Sequence, residues 1–561
     1  MNLKRKLTLF LNIELHKKLQ TFSIGYKWSI FRIVLLNVLN ALTSIGLAIV
    51  TKVLIDNAMA GAFNTAIYYG IGLAMILLLE MFLVSAITYF TVRTKESMRN
   101  SLQLNALSSL YEKKWIQLNT YKTGDLVSRL YSDVDSIVTA LTNTVPTLIA
   151  LMVQLLMAFG LLYSYDPLLA LLTFLVTPIT ILFGMVIGQK IKVVQKKIQE
   201  ADALKHAIIN EALQNIVILK SFNYVIRNLE RVKALQLDHF ELVKRKNRIS
   251  INSNLMLGFG YQLGFFGAVT FGAFRLASKA ITVGTFTAFI QLVGQIQAPI
   301  QGLASSLPQL IASLSSVERI HELDELENDR QLDNAMNHSA VPSKIVVKNI
   351  SFAYKENHPV FSGLNMTINR GEKVAIVGPS GEGKTTLVHM LLSLIEPDVG
   401  EITIETNAGG TFPLGVSTRR LFSYVPQTNT LFSGSIYDNF LLNHNVSEEA
   451  IEIALIASCC KSFIDELPEG LDTLMGERGI GLSQGQAQRI SIARALLHET
   501  PFLVFDEATS ALDIETERNL INNLKQYYPL CTLIAVTHRE SIFDICDRVY
   551  WMKNGGLSYD A

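Results

Sequence analysis

Six apolar windows in the first half of the chain limit most severely what it can fold into. They lie at residues 28–55, 66–91, 145–163, 168–187, 255–276 and 284–306. Each is long enough to cross about 30 Å of hydrocarbon as a helix, so the sequence predicts six membrane spans. The third and fourth are separated only by "SYDP", which leaves room for a tight hairpin and nothing more. Charged residues make up 17% of the 561 residues, against about a quarter in a soluble protein. The deficit falls in this half.

Lysine and arginine placement sets the orientation. The N-terminus carries Lys4, Arg5, Lys6, Lys17, Lys18 and Lys27. The segment between spans two and three carries Arg93, Lys95, Arg99, Lys113, Lys114, Lys122 and Arg129, and the one between spans four and five is basic from Lys190 to Arg248. The opposite loops, "DNAMAGAFNT" and "SYDP", contain neither residue; the turn between spans five and six departs from the pattern with Arg275 and Lys279. The majority places the N-terminus and both long segments in the cytoplasm, and an even number of spans returns the second half there too. "LKRKLTLFLNIEL", interrupted by Glu14 and His16 and without a small-residue cleavage site, reads as an amphipathic surface helix rather than a signal peptide. Both long cytoplasmic segments lack proline. A helix running on from Phe90 to Tyr121 would project about 45 Å. A formal net charge of +1 argues against a nucleic-acid partner. Cys459, Cys460, Cys531 and Cys546 show no disulfide or metal spacing and read as small apolar residues in a reducing cytosol.

The domain division that follows is 1–324 for the membrane half, 325–343 for a polar linker and 344–561 for an α/β domain. The second domain opens with the strand-like "KIVVKNISFAY". "VAIVGPSGEGKTTLVHMLL" then places G-x-x-x-x-G-K-[ST] between an apolar strand and an apolar-periodic helix, the setting a phosphate loop requires. Gly378, Ser380, Gly381 and Gly383 form the loop, and its glycines let backbone amides close on a β-phosphate. Lys384 reaches the β and γ oxygens, and Thr385 offers Mg²⁺ a hydroxyl. "PFLVFDEATSALD" is an apolar strand ending in two acids. Asp506 suits Mg²⁺ through its water shell, and Glu507 suits proton acceptance from an attacking water. His538 closes another apolar strand, where it can sense a γ-phosphate. "GLSQGQAQRISIARALL" raises a puzzle, because it opens a second helix with a free hydroxyl and a bare glycine amide, a second anion site for one nucleotide.

Residues 345–550 resemble the nucleotide-binding domain of ATP-binding-cassette proteins, with the motifs in the family's order. Tyr354 matches the adenine-stacking aromatic, Gly378–Thr386 the Walker A loop, and Gln427 in "YVPQ" the Q-loop, with a place at both metal and water. "GERG" at 476–479 matches a segment exporters carry before the signature. Leu482–Gln486 is the signature, Phe502–Glu507 Walker B, Ser510–Asp513 the D-loop and His538 the switch histidine. The membrane half resembles the family's six-helix exporters, "TGDLVSRLYSDVDSI" (123–137) looking like the first coupling segment and "EALQNIVILKSF" (211–222) like the second. The resemblance implies an α-helical six-span transmembrane domain of the swapped type IV exporter fold plus an α/β P-loop domain. It implies ATP and Mg²⁺ as cofactors and two chains facing head to tail, so that Ser483, Gly485 and Gln486 of one chain grip the ATP held by Walker A, including Thr386, of the other. That answers the puzzle. A homodimer is the default and a heterodimer the alternative.

The expected function is ATP-driven export or flipping of an amphiphile (peptide, lipid or drug) by alternating access, in a bacterial inner membrane. The alternative is an ATP-gated channel or regulatory ATPase on the same frame. Glu80, mid-span, is expected to face protein or water and to attract a cationic substrate or bond within the bundle. Gln291 and Gln295 are expected to give a cavity polar points. The signature reads LSQGQ rather than LSGGQ; Gln484 is expected to have a mild effect. The chain stops at "GGLSYDA", where exporters usually continue through a last helical tail.

Overall fold

The computed structural model describes residues 13–329 and 341–560, apart from 356–357, 429, 441–445, 477–478, 480, 540–542 and 544–545. The chain forms two compact units. One runs to Ser109 and resumes over Thr123–Glu325; the other comprises Leu110–Lys122 and everything from Leu326 onward.

In the first unit a short helix, α1 (Ile13–Thr21), precedes α2 (Lys27–Met59) and α3 (Phe63–Tyr111). After a four-residue helix α4 (Trp115–Leu118), which belongs to the other unit, come α5 (Thr123–Tyr165), α6 (Pro167–Gln214), the short α7 (Ile216–Ser221), α8 (Val225–Ala277) and α9 (Val283–Asp324). Every apolar window of the sequence falls inside one long helix. Among the described residues α3, α5 and the helical run Ile24–Met59 are long and apolar enough to cross a membrane. Only 6% of the α3 window is buried within its own chain, so its side chains are left for lipid or another protein surface.

The bundle core gathers around α9, where Phe289, Leu292, Val293 and Ile296 are fully buried beside Ala48, Ala158 and Ala268. The alanines let helix backbones approach closely, as membrane interfaces favour. Gln295 Nε2 donates to the Ser44 carbonyl at 2.6 Å, tying α9 to α2. Glu80 is half-buried and makes no hydrogen bond or ion pair among the described residues. Residues 1–12 of the expected surface helix lie outside the described residues. The described part, α1, turns Leu15 and Leu19 into a cluster with Met98, Val134 and Leu314. Its apolar face therefore packs on protein. The anomalous Arg275 finds its counter-charge in the neighbouring hairpin, where it donates to the buried Asp166 from Nε at 3.0 Å and from a terminal nitrogen at 2.7 Å.

Two sequence expectations need correcting. The arm helix α3 stops at Tyr111 rather than running on to Tyr121, because Lys113 leaves it to form an isolated bridge with Asn328. Residues 123–137 do not form the arm's tip. Within them Arg129 and Asp133 are buried charges, which need charged partners. Arg129 bonds to Glu322 at 3.0 Å and to the Arg319 carbonyl at 2.6 Å; Asp133 accepts from Ser316 at 2.9 Å and from Arg319 Nε at 2.8 Å. These bonds hold the segment to α9. The tip is α4, whose Trp115 and Ile116 pack against the core of the second unit.

In that unit β1 (Pro342–Lys355), β2 (His358–Asn369), β4 (Val399–Thr406) and β5 (Thr411–Pro413) form an antiparallel sheet ordered β2-β1-β4-β5. A second sheet is built from β3 (Lys373–Val377), β6 (Phe422–Val425), β9 (Phe502–Asp506), β10 (Thr532–Val536), β11 (Arg548–Lys553) and β12 (Gly556–Asp560), in the order β12-β11-β3-β10-β9-β6. Gly434–Ser435 (β7) and Leu474–Met475 (β8) make a small ribbon. β3, β9 and β10 are buried at every residue and pair in parallel, the arrangement expected when helices cover both faces of a sheet. Helices α10 (Lys384–Leu391), α11 (Glu448–Ala457), α12 (Gln484–Leu496) and α13 (Ile514–Tyr527) complete the frame. β3, β9 and β10 end side by side, with Val536 paired to both Ile376 and Asp506. Loops after parallel strand ends are where ligands bind in such sheets.

Candidate functional site

The phosphate loop leaves β3 at Gly378 and enters α10 at Lys384. Gly383 has φ +95°, and a Cβ there would sit 2.4 Å from Val360, so glycine is required by both backbone and space. Gly381, at φ +92°, has nothing within 4 Å of such a Cβ, which leaves its backbone open to a large anion. Lys384 is buried, and its ammonium donates to the carbonyls of Gly378 and Pro379, at 2.8 Å each. Burial lowers its pKa, with Glu507 and Asp506 opposing. Thr385 Oγ1 donates to Asp506 Oδ1 at 3.3 Å. A hydroxyl facing a buried carboxylate beside a helix N-terminus fits a magnesium–triphosphate complex: the amides and Lys384 would hold phosphate oxygens, and Thr385 and Asp506 would hold the metal.

Asp506 is 3% exposed, and burial raises its carboxyl above the ordinary range, against the Thr385 hydrogen bond. Tyr424 donates to Asp506 Oδ2 at 3.4 Å. Burial, then the Asp506 charge, pushes this phenol's pKa up. Sequence reasoning missed Tyr424: it sits in a strand of apolar residues, where a tyrosine reads as packing.

Glu507 begins the turn after β9 with φ +50°, its N–H donating to the Val536 carbonyl at 2.9 Å. A non-glycine residue held left-handed is sustained only by its surroundings. Here those are specific: Glu507 Oε2 accepts from Gln427 Nε2 at 2.6 Å, and Oε1 lies 3.1 Å from His538 Nε2. The structure thus brings Gln427, Glu507 and His538 together from three separate strand ends. Gln427 donates to one carboxylate oxygen and the His538 ring lies beside the other, which places the carboxylate for proton transfer to or from a bound water. Tyr354 is 53% exposed, its hydroxyl 3.2 Å from Thr386 Oγ1 and its ring edge-on to Phe352. One ring face stays free for a flat aromatic ligand. Ser380 is exposed on the loop.

Other sequence-selected residues are not gathered here. Ser483 caps α12: its Oγ accepts from the Gln486 N–H at 3.2 Å, and Gln486 Oε1 accepts from the Ser483 N–H at 2.9 Å, a reciprocal capping box. Ser483 and Gln484 are exposed. A Cβ on Gly485 would come within 3.1 Å of the Ala511 carbonyl, so the bare position also lets the helix lie close to the turn after Glu507. Two residues absent from the sequence reading pin that turn. Gln488 accepts from the Ala511 N–H at 3.0 Å and donates to Ser510 Oγ at 3.2 Å; Arg539 donates to the carbonyls of Ser510 at 2.6 Å and Leu512 at 2.7 Å. A buried glutamine on an otherwise apolar helix face was the available signal for Gln488. Within 476–479, Glu477 and Arg478 lie outside the described residues.

The comparisons with known proteins agree with this geometry. Residues 30–300 match the ABC transporter transmembrane region, and residues 361–510 match the ABC transporter family. The "ABC transporter B family member 29, chloroplastic" of Arabidopsis thaliana is 31% identical over 78% of this chain and 70% of its own length. An "ATP-dependent lipid A-core flippase" of Desulfotalea psychrophila is 28% identical over 97% of this chain and 96% of its own. The solved structure of a bacterial Atm1-family ABC exporter with ATP bound superimposes with a TM-score of 0.79 at 23% identity, covering 95% of this chain and 94% of that one. The chain belongs to the ABC transporter family, as an exporter half-transporter with its membrane domain and ATP-binding domain fused. It is an ATPase whose turnover drives transport, and its fold is that of the ABC exporters.

Proposed function

We propose that two copies of this chain form an exporter that flips an amphiphile, a lipid or lipid-like molecule, out of the cytoplasmic leaflet of a bacterial inner membrane. The N-terminus and ATP domain face the cytoplasm. Lys384 and the Gly378–Gly383 loop hold the ATP phosphates, Ser380 and Thr386 line the same loop, and Tyr354 stacks on the adenine. Thr385, Asp506 and Gln427 hold Mg²⁺. Glu507 accepts the proton of the attacking water, and His538 orients Glu507 and senses the γ-phosphate. Ser483, Gly485 and Gln486 of the opposite chain close on that phosphate. The relatives described as lipid A-core flippases support a lipid-like substrate, as does the length of α3 left uncovered within its own chain.

One observation carries the two-chain reading. A single chain exposes both the Ser483 helix start and the apolar tip of the second arm, where Val217 is 75% and Phe222 70% exposed. Water is a poor setting for such a tip, and a second copy supplies a surface for it. Complementation tests the reading. Lys384→Ala and Ser483→Arg chains are each expected to be nearly inactive alone. Coexpressed, they are expected to regain ATPase activity, because the mixed pair assembles one intact site from a normal Walker A and a normal signature. No recovery in purified mixed dimers would refute it. Accumulation of a labelled lipid in the far leaflet of vesicles, dependent on ATP, tests the substrate class.

A further inference from the structure

The start of α2 meets α3 where the apolar window of α3 ends. The Arg32 guanidinium carbon lies 3.8 Å from the Phe90 ring centroid, and the Tyr26 hydroxyl donates to the Ser97 carbonyl at 3.1 Å. Arg32 falls four residues inside the apolar window 28–55, which is about 6 Å along the helix. A cation at that depth needs an acceptor, because water is scarce there. Among the described residues the Arg32 side chain makes no hydrogen bond and no ion pair. The ring contact leaves its N–H donors unused.

Arg93, one turn along α3 from Phe90, is exposed and spends one nitrogen on the Tyr89 hydroxyl at 3.2 Å. Lys27 opens α2 and is exposed as well. The acids that follow on α3 and α5 are engaged by other cations: Glu96 pairs with Arg99, and Asp135 with Lys95 at 3.2 Å. Lys27, Arg32 and Arg93 are thus positive charges without a carboxylate partner among the described residues. Exposed rings stand among them. Trp28, one turn before Arg32 on the same face of α2, is 83% exposed, Phe31 is 56% and Tyr89 is 57%. Exposed aromatic residues at the end of a spanning helix belong at the boundary between hydrocarbon and headgroups. Cations interleaved with such rings match a lipid whose phosphate adjoins its acyl chains.

We propose that Arg32 and Arg93, helped by Lys27, bind the phosphate of an anionic phospholipid in the leaflet where α2 begins, its acyl chains lying along Trp28 and Phe31. The Phe90 ring holds Arg32 in place and turns a diffuse charge into a site. Guanidinium suits phosphate because two N–H groups meet two oxygens at once. The site asks nothing of the transported molecule. It rests only on α2 and α3 crossing the membrane.

The test uses the full chain in detergent micelles with Trp28 as its one tryptophan, through Trp115→Phe and Trp551→Phe. The probes are phosphatidylglycerol and phosphatidylcholine with brominated acyl chains, which quench a ring they touch. Phosphatidylglycerol is expected to reach half-quenching at about a tenfold lower mole fraction than phosphatidylcholine. Arg32→Gln and Arg93→Gln are each expected to weaken the phosphatidylglycerol effect about fivefold. Phe90→Leu, which keeps bulk and loses the ring face, is expected to weaken it about threefold. Lys348→Gln makes the same charge change on an exposed residue of β1 and is expected to leave it unchanged. Inorganic phosphate at millimolar concentration is expected to displace no lipid. In the unaltered chain, the thermal unfolding midpoint is expected to rise with phosphatidylglycerol and not with phosphatidylcholine, a readout that needs no variant. Equal effects of the two lipids, full phosphatidylglycerol affinity in Arg32→Gln or Arg93→Gln, or displacement by inorganic phosphate would overturn the proposal. Failure of a labelled lipid to cross vesicles would sink only the substrate class.

Discussion

The two helix starts that suit phosphate, α10 and α12, are treated very differently by their own chain. At α10 the ammonium of Lys384 is buried within the loop, Gly383 is fitted against Val360, and Asp506 stands opposite Thr385. At α12 the Ser483 hydroxyl is exposed and, among the described residues, caps its own helix. Each helix presents N–H groups and the positive end of its dipole. Only the first is surrounded by what a nucleotide needs. The difference teaches that this chain surrounds the first helix start with the groups a nucleotide needs and leaves the second one exposed.

The sharpest way to test the first of these settings is Glu507→Gln. It keeps the geometry near Gln427 and His538 but removes the base, so ATPase turnover is expected to fall about a thousandfold while MgATP stays bound. Steady-state turnover and retained radiolabelled ATP measure both, and parental turnover would break the assignment. Next in size, Lys384→Ala removes a charge-assisted phosphate contact and should weaken ATP binding by about ten- to a hundredfold, as read by equilibrium binding of a fluorescent ATP analogue. Unchanged affinity would mean that Lys384 is only a structural plug for its own loop.

Ser483→Ala probes the second. It removes one hydroxyl, and the expected loss of kcat is about tenfold, with single-chain ATP affinity untouched. A loss of affinity in verified monomers would erase the contrast between the helices. The smallest effect is expected at Gln484→Gly. This side chain is exposed at the first position of α12, so ATPase activity should stay within about twofold of the parent. A large change would show that Gln484 itself meets the facing chain.

Much of this was legible in the residues. The apolar windows predicted the spans because a membrane helix must satisfy its backbone internally and its surface with carbon, and both demands are written locally. The phosphate loop was legible because glycine spacing and strand–helix flanks are local too. Trp115 was not. A tryptophan in a basic cytoplasmic segment reads as one more amphipathic residue, and only the packed structure shows it against His389, far along the chain. Residues 123–137 misled for the converse reason: Arg129 and Asp133 look like solvent-facing charges until Glu322 and Arg319 are seen to cover them. The out-of-pattern Arg275 likewise made sense only once Asp166 was beside it.

The sequence alone determined the division into a membrane half and an ATP half, and the strand–loop–helix setting of the glycine-rich pattern. Each follows from side-chain chemistry and short-range periodicity. Tertiary structure decided which arm segment touches the ATP domain, how Gln427 and His538 hold Glu507 in its left-handed turn, and that Ser483 is left exposed. Those are matters of which distant surfaces meet, and that is set by the balance of burial and counter-charge over the whole fold.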